Sequence, residues 1–490
     1  MEKTENITSI IEEIFHPRSI AVTGVSAKSN RLGNLLLYSY TDIGFPGKLY
    51  AVNPEDESVM GIPCVPSISA IDGPVDLVIV SVHPSKVPAL VDECAAKGAR
   101  AAILFSSGFR EKGEEGRKAE AEMVRRAREG GMRIIGPNCM GLYSPSSGLS
   151  FFPGMPKEEG IVAFLSQSGS LANMLGLFAG ERGIRFSRMI SVGNAADLGV
   201  NDFLEYLGND EKTRLIALYL EGISDARGFL DRAKEISQRK PILVWKVGRT
   251  EGGSRSAGSH TGSMSGSGEL WSAAIRQAGL IAVENLVELT GFITAFQNPH
   301  LPKGNRVAIM SGPGGIAVSA ADACESAGLK LANLSTASQK ALAEFVPEYG
   351  ASVANPVDLS LTASFDLTMY PRATEICGAD ENVDMIVEFI PILRRELAEG
   401  LLKAQGTAKK PIAIITPLEY ASLETPASRF FGTIGREELT EILKKMYDAG
   451  ISVHSTEQEA AKALASLLAY ARYRKSRCEQ SPQGQPPGVE

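Results

Sequence analysis

Histidine is scarce in this chain, five among 490 residues, and no two stand in an HxxxH spacing. Cysteine is scarce too: six are scattered at positions 64, 94, 139, 324, 377 and 478, with no CxxC pair. Neither a His/Cys metal site nor a disulfide framework is therefore expected. No apolar run approaches the roughly 20 residues needed to cross a bilayer. Basic residues form no stripe and the net charge is −7, which argues against a nucleic-acid or membrane partner. The first residues, MEKTENITSIIEEIF, are acidic and amphipathic, unlike a secretory or transit peptide. These absences describe a soluble, reduced, cytoplasmic protein.

What the chain does have is glycine, 49 residues of it, gathered in short segments that follow apolar runs. Apolar, β-branched runs alternate with stretches of helical period, the signature of parallel α/β domains. At this length three cores are expected: a Rossmann-type domain over 1–150, then two flavodoxin-like doubly wound domains over 151–300 and 301–472. The polar, Pro/Gln-rich end, 473–490, is expected to be a disordered tail. Strands are predicted at 19–24, 48–54, 76–82, 101–107 and 133–138 in the first block. The second opens on GIVAFLSQSGS and the third on RVAIMSGPGG, so both begin with a strand, a Gly/Ser turn and a helix.

After the first strand comes Gly24-Val-Ser26-Ala-Lys28-Ser-Asn-Arg31-Leu-Gly33. A helix that starts after such a turn offers free N–H groups to phosphate. The pattern is not GxGxxG, and Asn53-Pro54 stands where a dinucleotide fold wants an acid for the ribose. Lys28 and Arg31 instead suit a ligand richer in phosphate. With YAVNP, SSGF and GPNCMG following, the block resembles the CoA-binding domain of the succinyl-CoA synthetase and ADP-forming acyl-CoA synthetase superfamily. The resemblance implies CoA as ligand, with Gly24, Ser26, Lys28, Arg31 and Asn53 near its phosphates and ribose. Ser106, Ser107 and Gly108 would lie along the rest of it, and Asn138 and Cys139 where its thiol end arrives. Read on its own, Cys139 is a small packing residue more readily than a nucleophile.

His260 stands at the centre of GGSRSAGSHTGSMSGSG (252–268), six glycines and six serines among seventeen residues. That composition disfavours regular structure and predicts a mobile loop. Half of it, fully extended, reaches on the order of 25 Å. Lys246 and Arg249 precede it and a patterned helix follows, so the loop lies inside a domain. An imidazole among small neighbours is free to accept a phosphoryl group and pass it on. KVGRT followed by AGSHTGSMSG resembles the phosphohistidine loop of ADP-forming acyl-CoA synthetases. A phosphohistidine needs its other ring nitrogen held by an acceptor, and Glu221, in a matching LxLEGI segment, is the candidate.

Two strand-to-helix turns are candidate phosphate cradles: Ser166-Gln167-Ser168-Gly169-Ser170, and Ser311-Gly-Pro-Gly314-Gly315. The second departs from the SGGPG of many relatives. Asp358, in Asn355-Pro-Val-Asp358-Leu, matches a family segment and reads equally as structural. Leu171 and Asn173 are candidates for the acyl pocket. The resemblance implies the reaction acyl-CoA + phosphate + ADP ⇌ acid + CoA + ATP through an acyl phosphate and phosphohistidine. It also implies a separate ATP-grasp beta subunit holding ADP/ATP with Mg, in an α2β2 assembly. The alternative is a CoA-binding regulatory or protein-acetylation scaffold on the same domains; an NAD-dependent oxidoreductase is disfavoured by the missing GxGxxG and acid.

Overall fold

The computed structural model describes residues 6–255, 268–312, 314–417 and 434–480. Its strands fall into three sheets. The first holds β1 (Ser19–Thr23), β2 (Lys48–Val52), β3 (Ser58–Val59), β4 (Ile62–Val65), β5 (Leu77–Val80), β6 (Ala101–Leu104) and β7 (Arg133–Ile135). Their order is β3-β4-β2-β1-β5-β6-β7, parallel except for the β3–β4 pair. The chain leaves β1 toward β2 on one side and later returns to β5 on the other. That reversal is the switch point where open α/β sheets bind ligands.

The second sheet holds β8 (Gly141–Tyr143), β9 (Val162–Ser166), β10 (Phe186–Ser191), β11 (Leu215–Leu220), β12 (Ile242–Lys246) and β13 (Ile281–Val283), in the order β13-β12-β11-β9-β10-β8. The third holds β14 (Arg306–Ser311), β15 (Lys330–Leu331), β16 (Val357–Asp358), β17 (Met385–Phe389), β18 (Ile412–Ile415) and β19 (Ile451–His454), in the order β15-β14-β17-β18-β19 with β16 on β14. Both are doubly wound with a flavodoxin-like order, with β9 and β14 at their switch points. The expected fold class is thus found in all three sheets. Most of their strands read as apolar runs because helices cover both faces.

The described chain divides into two compact units. One comprises residues up to Gly180 with Arg185–Glu284; the other comprises Glu181–Ile184 with the chain from Asn285 onward. In the first unit, the first two sheets share a core that includes Ile20, Ile103, Leu165 and Leu218. The helix Ile7–Phe15 contributes to it: Phe15 stacks on Tyr206, ring centroids 5.3 Å apart, and both rings are buried. Burying an aromatic ring of this size stabilises by roughly 2–3 kcal/mol, so the N-terminal helix is fastened to the second sheet's helix Val200–Asn209.

Three segments near the expected bounds pack as follows. Gly141–Tyr143, placed in the first domain, pairs antiparallel with β10 in the second sheet. The helix Leu286–Phe296, placed in the middle domain, groups with the second unit, where Phe296 meets Tyr470 at 5.9 Å. Residues 473–480, expected in a disordered tail, continue the helix Glu457–Gln480. That helix is anchored by buried Ala460, Leu464, Leu467 and Leu468, and its hydrogen-bond ladder carries the polar end onward. Residues 481–490 lie outside the described residues. Among the described residues, no helix is long and apolar enough to cross a membrane.

Candidate active site

The C-terminal ends of β1, β2 and β5 open into a cleft of about 710 Å³ that gathers Gly24, Ser26, Lys28, Arg31 and Asn53. Gly24 has a φ of +76°, and a Cβ there would lie 1.9 Å from the Ser81 carbonyl oxygen, so the turn admits only glycine. Side chains brace the loop that follows. Asn34 accepts from the Ser26 N–H at 2.8 Å and donates to the Ser26 carbonyl at 2.7 Å. Asn53 donates to the Val25 carbonyl at 2.8 Å, and Asp56 accepts from the Ala27 N–H at 2.8 Å. Asn53 thus shapes the cradle, leaving ligand charge to Lys28 and Arg31, which are both exposed. Ser85 and Lys86 line the same cleft.

Ser106, Ser107, Gly108 and Asn138 are not among that cleft's lining residues. They follow β6 and β7 at the same edge of the sheet, with Ser107 exposed and the Ser106 hydroxyl donating to the Val82 carbonyl. Cys139 is a correction. It is 3 % exposed, and its thiol points into the core toward the Leu104 and Ile135 carbonyls at 3.5 Å. Burial pushes that thiol up to about 12. A buried, protonated sulfur packed between strands is not presented as a nucleophile. Cys139→Ala is expected to leave CoA affinity within about two-fold by calorimetry.

At the second sheet's switch point, β9 ends in Ser166 and β11 leads into Glu221. Gln167 joins them. Its Oε1 accepts from the N–H groups of Glu221 at 2.6 Å and Gly222 at 3.0 Å, while its Nε2 donates to the Gly222 carbonyl at 2.7 Å. The Gln167 amide is therefore committed to the Glu221 turn rather than to phosphate. Next to it the helix Gly169–Glu181 begins; a helix start leaves its first N–H groups without intrahelical acceptors, and here the Ser168 hydroxyl accepts that of Leu171 at 3.4 Å. Ser168 and Ser170 hydroxyls stand 3.3 Å apart over that helix start. Glu221 is buried. So is Lys246, whose Nζ donates to the Glu221 carbonyl at 2.8 Å and to the Val247 carbonyl and lies 5.6 Å from the Trp271 ring centre. Burial lowers Lys246 to about 8, against the opposing pull of the Glu221 charge. Next in line come the residues carrying His260, which lies outside the described residues.

In the second unit, the helix Gly314–Ser326 starts after β14, with Gly314 partly exposed and Gly315 exposed. An Asp358 oxygen would lie 2.4 Å from a Cβ on Gly314, and Asp358 also accepts from the Ser360 N–H at 2.8 Å. This helix start thus already faces a carboxylate.

Comparison with known proteins bears on this arrangement. A CoA binding domain model matches residues 18–145, and a succinyl-CoA ligase like flavodoxin domain model matches residues 159–296. The chain is 36% identical to an acetate–CoA ligase (ADP-forming) II subunit alpha of Pyrococcus furiosus, over 94% of this chain and 98% of that one. It is 34% identical to the corresponding I subunit alpha of the same organism, over 95% and 98%. The chain belongs to the ADP-forming acyl-CoA synthetase family. A solved structure of this family, a dinucleotide-forming acetyl-coenzyme A synthetase 1 of Ca. Korarchaeum cryptofilum in complex with phosphate and ADP, superposes with a TM-score of 0.81. It is 32% identical and covers 98% of this chain and 99% of its own.

Within this synthetase fold, sequence reasoning missed the residues that hold the candidate groups in place. Asn34 and Asp56 brace the first cradle, and Lys246 braces the Glu221 turn. Only Lys246 carried a signal, a cation ending an otherwise apolar strand. Asn34 and Asp56 are ordinary polar residues until the fold brings them to a bare N–H.

Proposed function

We propose that this chain is the CoA-binding, phosphohistidine-bearing alpha subunit of an ADP-forming acyl-CoA synthetase. It converts acyl-CoA, phosphate and ADP to a carboxylic acid, CoA and ATP, reversibly and in the cytoplasm. A phosphate oxygen attacks the thioester carbon; the C–S bond breaks and CoA leaves as thiolate, taking up a proton. A His260 nitrogen then attacks phosphorus of the acyl phosphate, the P–O bond to the acyl group breaks, and the carboxylate departs. Finally the phosphoryl group passes from His260 to ADP. The role of the helix start at Gly169 is to hold phosphate charge as it develops. Glu221 accepts the remaining ring N–H of His260 and so fixes which nitrogen reacts.

One observation supports the reading: a buried carboxylate and a helix start are joined through Gln167 at the switch point of the second sheet, beside β12, after which the sequence runs on to His260. The nucleotide, with its Mg, belongs on an ATP-grasp beta subunit in an α2β2 assembly. Support for that partner comes from relatives named as alpha subunits.

The test is to mix the chain with acetyl-, aryl- or branched-acyl-CoA and labelled phosphate and to look for acid-labile, base-stable phosphate on His260. Wild type is expected to label with at least one thioester, and His260→Ala with none. Equal labelling of both proteins overturns the reading. CoA binding without labelling by any thioester returns the chain to a CoA-binding scaffold.

A further inference from the structure

A buried polar chain links the turn after β6 to the loop after β10. Asn194 is 4% exposed and Glu120 2%. The Asn194 Nδ2 donates to Glu111 Oε2 at 3.0 Å and to Glu120 Oε2 at 2.9 Å. A side-chain NH2 has the two hydrogens needed to serve two carboxylates at once. Glu111 in turn takes the Gly108 N–H, and Glu120 takes Arg110 Nε at 2.6 Å. Burial opposes the charge on Glu111, but the Gly108 N–H and the Asn194 amide outweigh it and hold the carboxyl below its ordinary value. Loss of the Asn194 amide removes the group that bridges the two carboxylates, leaving Arg110 to balance Glu120 and the Gly108 N–H to hold Glu111.

The main chain of the same loop is fixed as firmly. Asn194 N–H donates to the Pro137 carbonyl and Ala196 N–H to the Gly136 carbonyl, both at 2.9 Å. Gly193 has a φ of +51°, and a Cβ on it would lie 2.1 Å from the Asn138 carbonyl oxygen. At its near end, Val192 N–H donates to the Ser166 carbonyl at 2.9 Å, one residue before Gln167. The loop therefore bonds the 136–138 turn directly and the 106–108 turn through Glu111 in the first sheet, and in the second it bonds the turn that starts the phosphate helix. Asn194, Gln167, Gly222 and Arg110 line one cleft of about 730 Å³.

We propose that Asn194 is a positioning residue for the thioester step. Through Glu111 it sets the Ser106–Gly108 turn against the loop leading to Gln167, so that the thioester carbon arrives opposite bound phosphate. The inference rests on the functional reading above. It makes a demand that a purely structural role does not: the step involving CoA depends on Asn194, and the step that bypasses CoA does not. A misplacement of about 1 Å costs such a reaction on the order of a hundred-fold.

The experiment compares two routes to the labelled enzyme in wild type and Asn194→Ala: from acyl-CoA with labelled phosphate, and from labelled acetyl phosphate without CoA. The variant is expected to lose roughly ten- to a hundred-fold on the first route and to match wild type on the second. Its CoA affinity is expected to hold, since the nucleotide end sits in the other cleft. Equal loss on both routes, or no loss on either, overturns the proposal. Glu111→Gln turns an acceptor toward the Asn194 amide into a competing donor. It is expected to show the same split and decides the question if Asn194→Ala does not fold. Failure of wild type to label on either route would instead count against the functional reading.

Discussion

Replacing Glu221 with glutamine is expected to slow phosphorylation of His260 by acyl phosphate about a hundred-fold while leaving CoA affinity unchanged. Glutamine keeps the shape of the side chain, and the turn that carries it is held by other groups. Gln167 accepts its N–H at 2.6 Å and Lys246 donates to its carbonyl at 2.8 Å, both through main-chain atoms that the substitution leaves alone. What changes is the charge, and a carboxylate is what stabilises positive character on an imidazole as it attacks phosphorus. The same substitution carries a pH signature. Burial draws Lys246 down to about 8 and the Glu221 charge holds it from falling further. The ammonium is present below that value and is lost as pH rises through it, so the wild-type rate is expected to decline above about pH 8. Without the Glu221 charge, that alkaline limb moves to lower pH; Arg249, the other charge acting on Lys246, pushes the same way. Single-turnover labelling across pH 6–9 reads both effects. A loss of less than about three-fold, or a limb that does not move, would remove Glu221 from the phosphoryl-transfer step.

The three sheets were legible in the sequence because buried parallel strands are written as unbroken apolar runs and their turns as Gly/Ser clusters. β10 was not. Its FSRMIS contains Ser187 and Arg188, both fully buried. Ser187 is satisfied by the Val162 carbonyl and Thr213, and Arg188 is held by Glu159, the Ser187 carbonyl and the Phe15 ring face at 5.2 Å. Polar residues enter a strand core when distant partners await them, and nothing local announces that. The candidate site divides along the same line. Turn glycines and charges in loops or at strand ends are local signals, and Gly24, Lys28, Arg31 and Glu221 were proposed from them. The braces are not local: Asn194 meets Glu111 and Glu120 across more than seventy residues of sequence. Asn53 and Gln167 were picked as ligand contacts for standing in the right turns, and only coordinates reveal that their amides are spent on the backbone. Cys139 shows both sides of the divide: its own chemistry reads as a packing residue, which its burial matches, whereas the turn it stands in had suggested a place beside the ligand.

Glu388→Gln is expected to stabilise the second unit at neutral and alkaline pH, by about 2 kcal/mol at pH 8. Glu388 sits mid-strand in β17 with no exposure, accepts from the Thr374 hydroxyl, and leaves its other oxygen without a partner among the described residues. Burial raises its carboxyl to about 8, and the Thr374 bond offsets only part of that. The unfolded chain ionises this group near the ordinary glutamate value, so between there and pH 8 the folded state holds a proton that the unfolded state has released. Stability therefore falls as pH rises across that window and levels off above it. Glutamine carries no such proton, so its advantage grows over the same range. Tyr370 and Cys377 feel the Glu388 charge, and burial raises both of them well above neutral pH, which leaves the window to Glu388. Hydrogen exchange of β14 and β17 amides in the intact chain measures the difference. Protection in the variant should exceed wild type by on the order of thirty-fold at pH 8 and converge with it near pH 5. Equal protection at both pH values would mean that the carboxyl finds a partner for its charge when it ionises, and the burial argument would then fail.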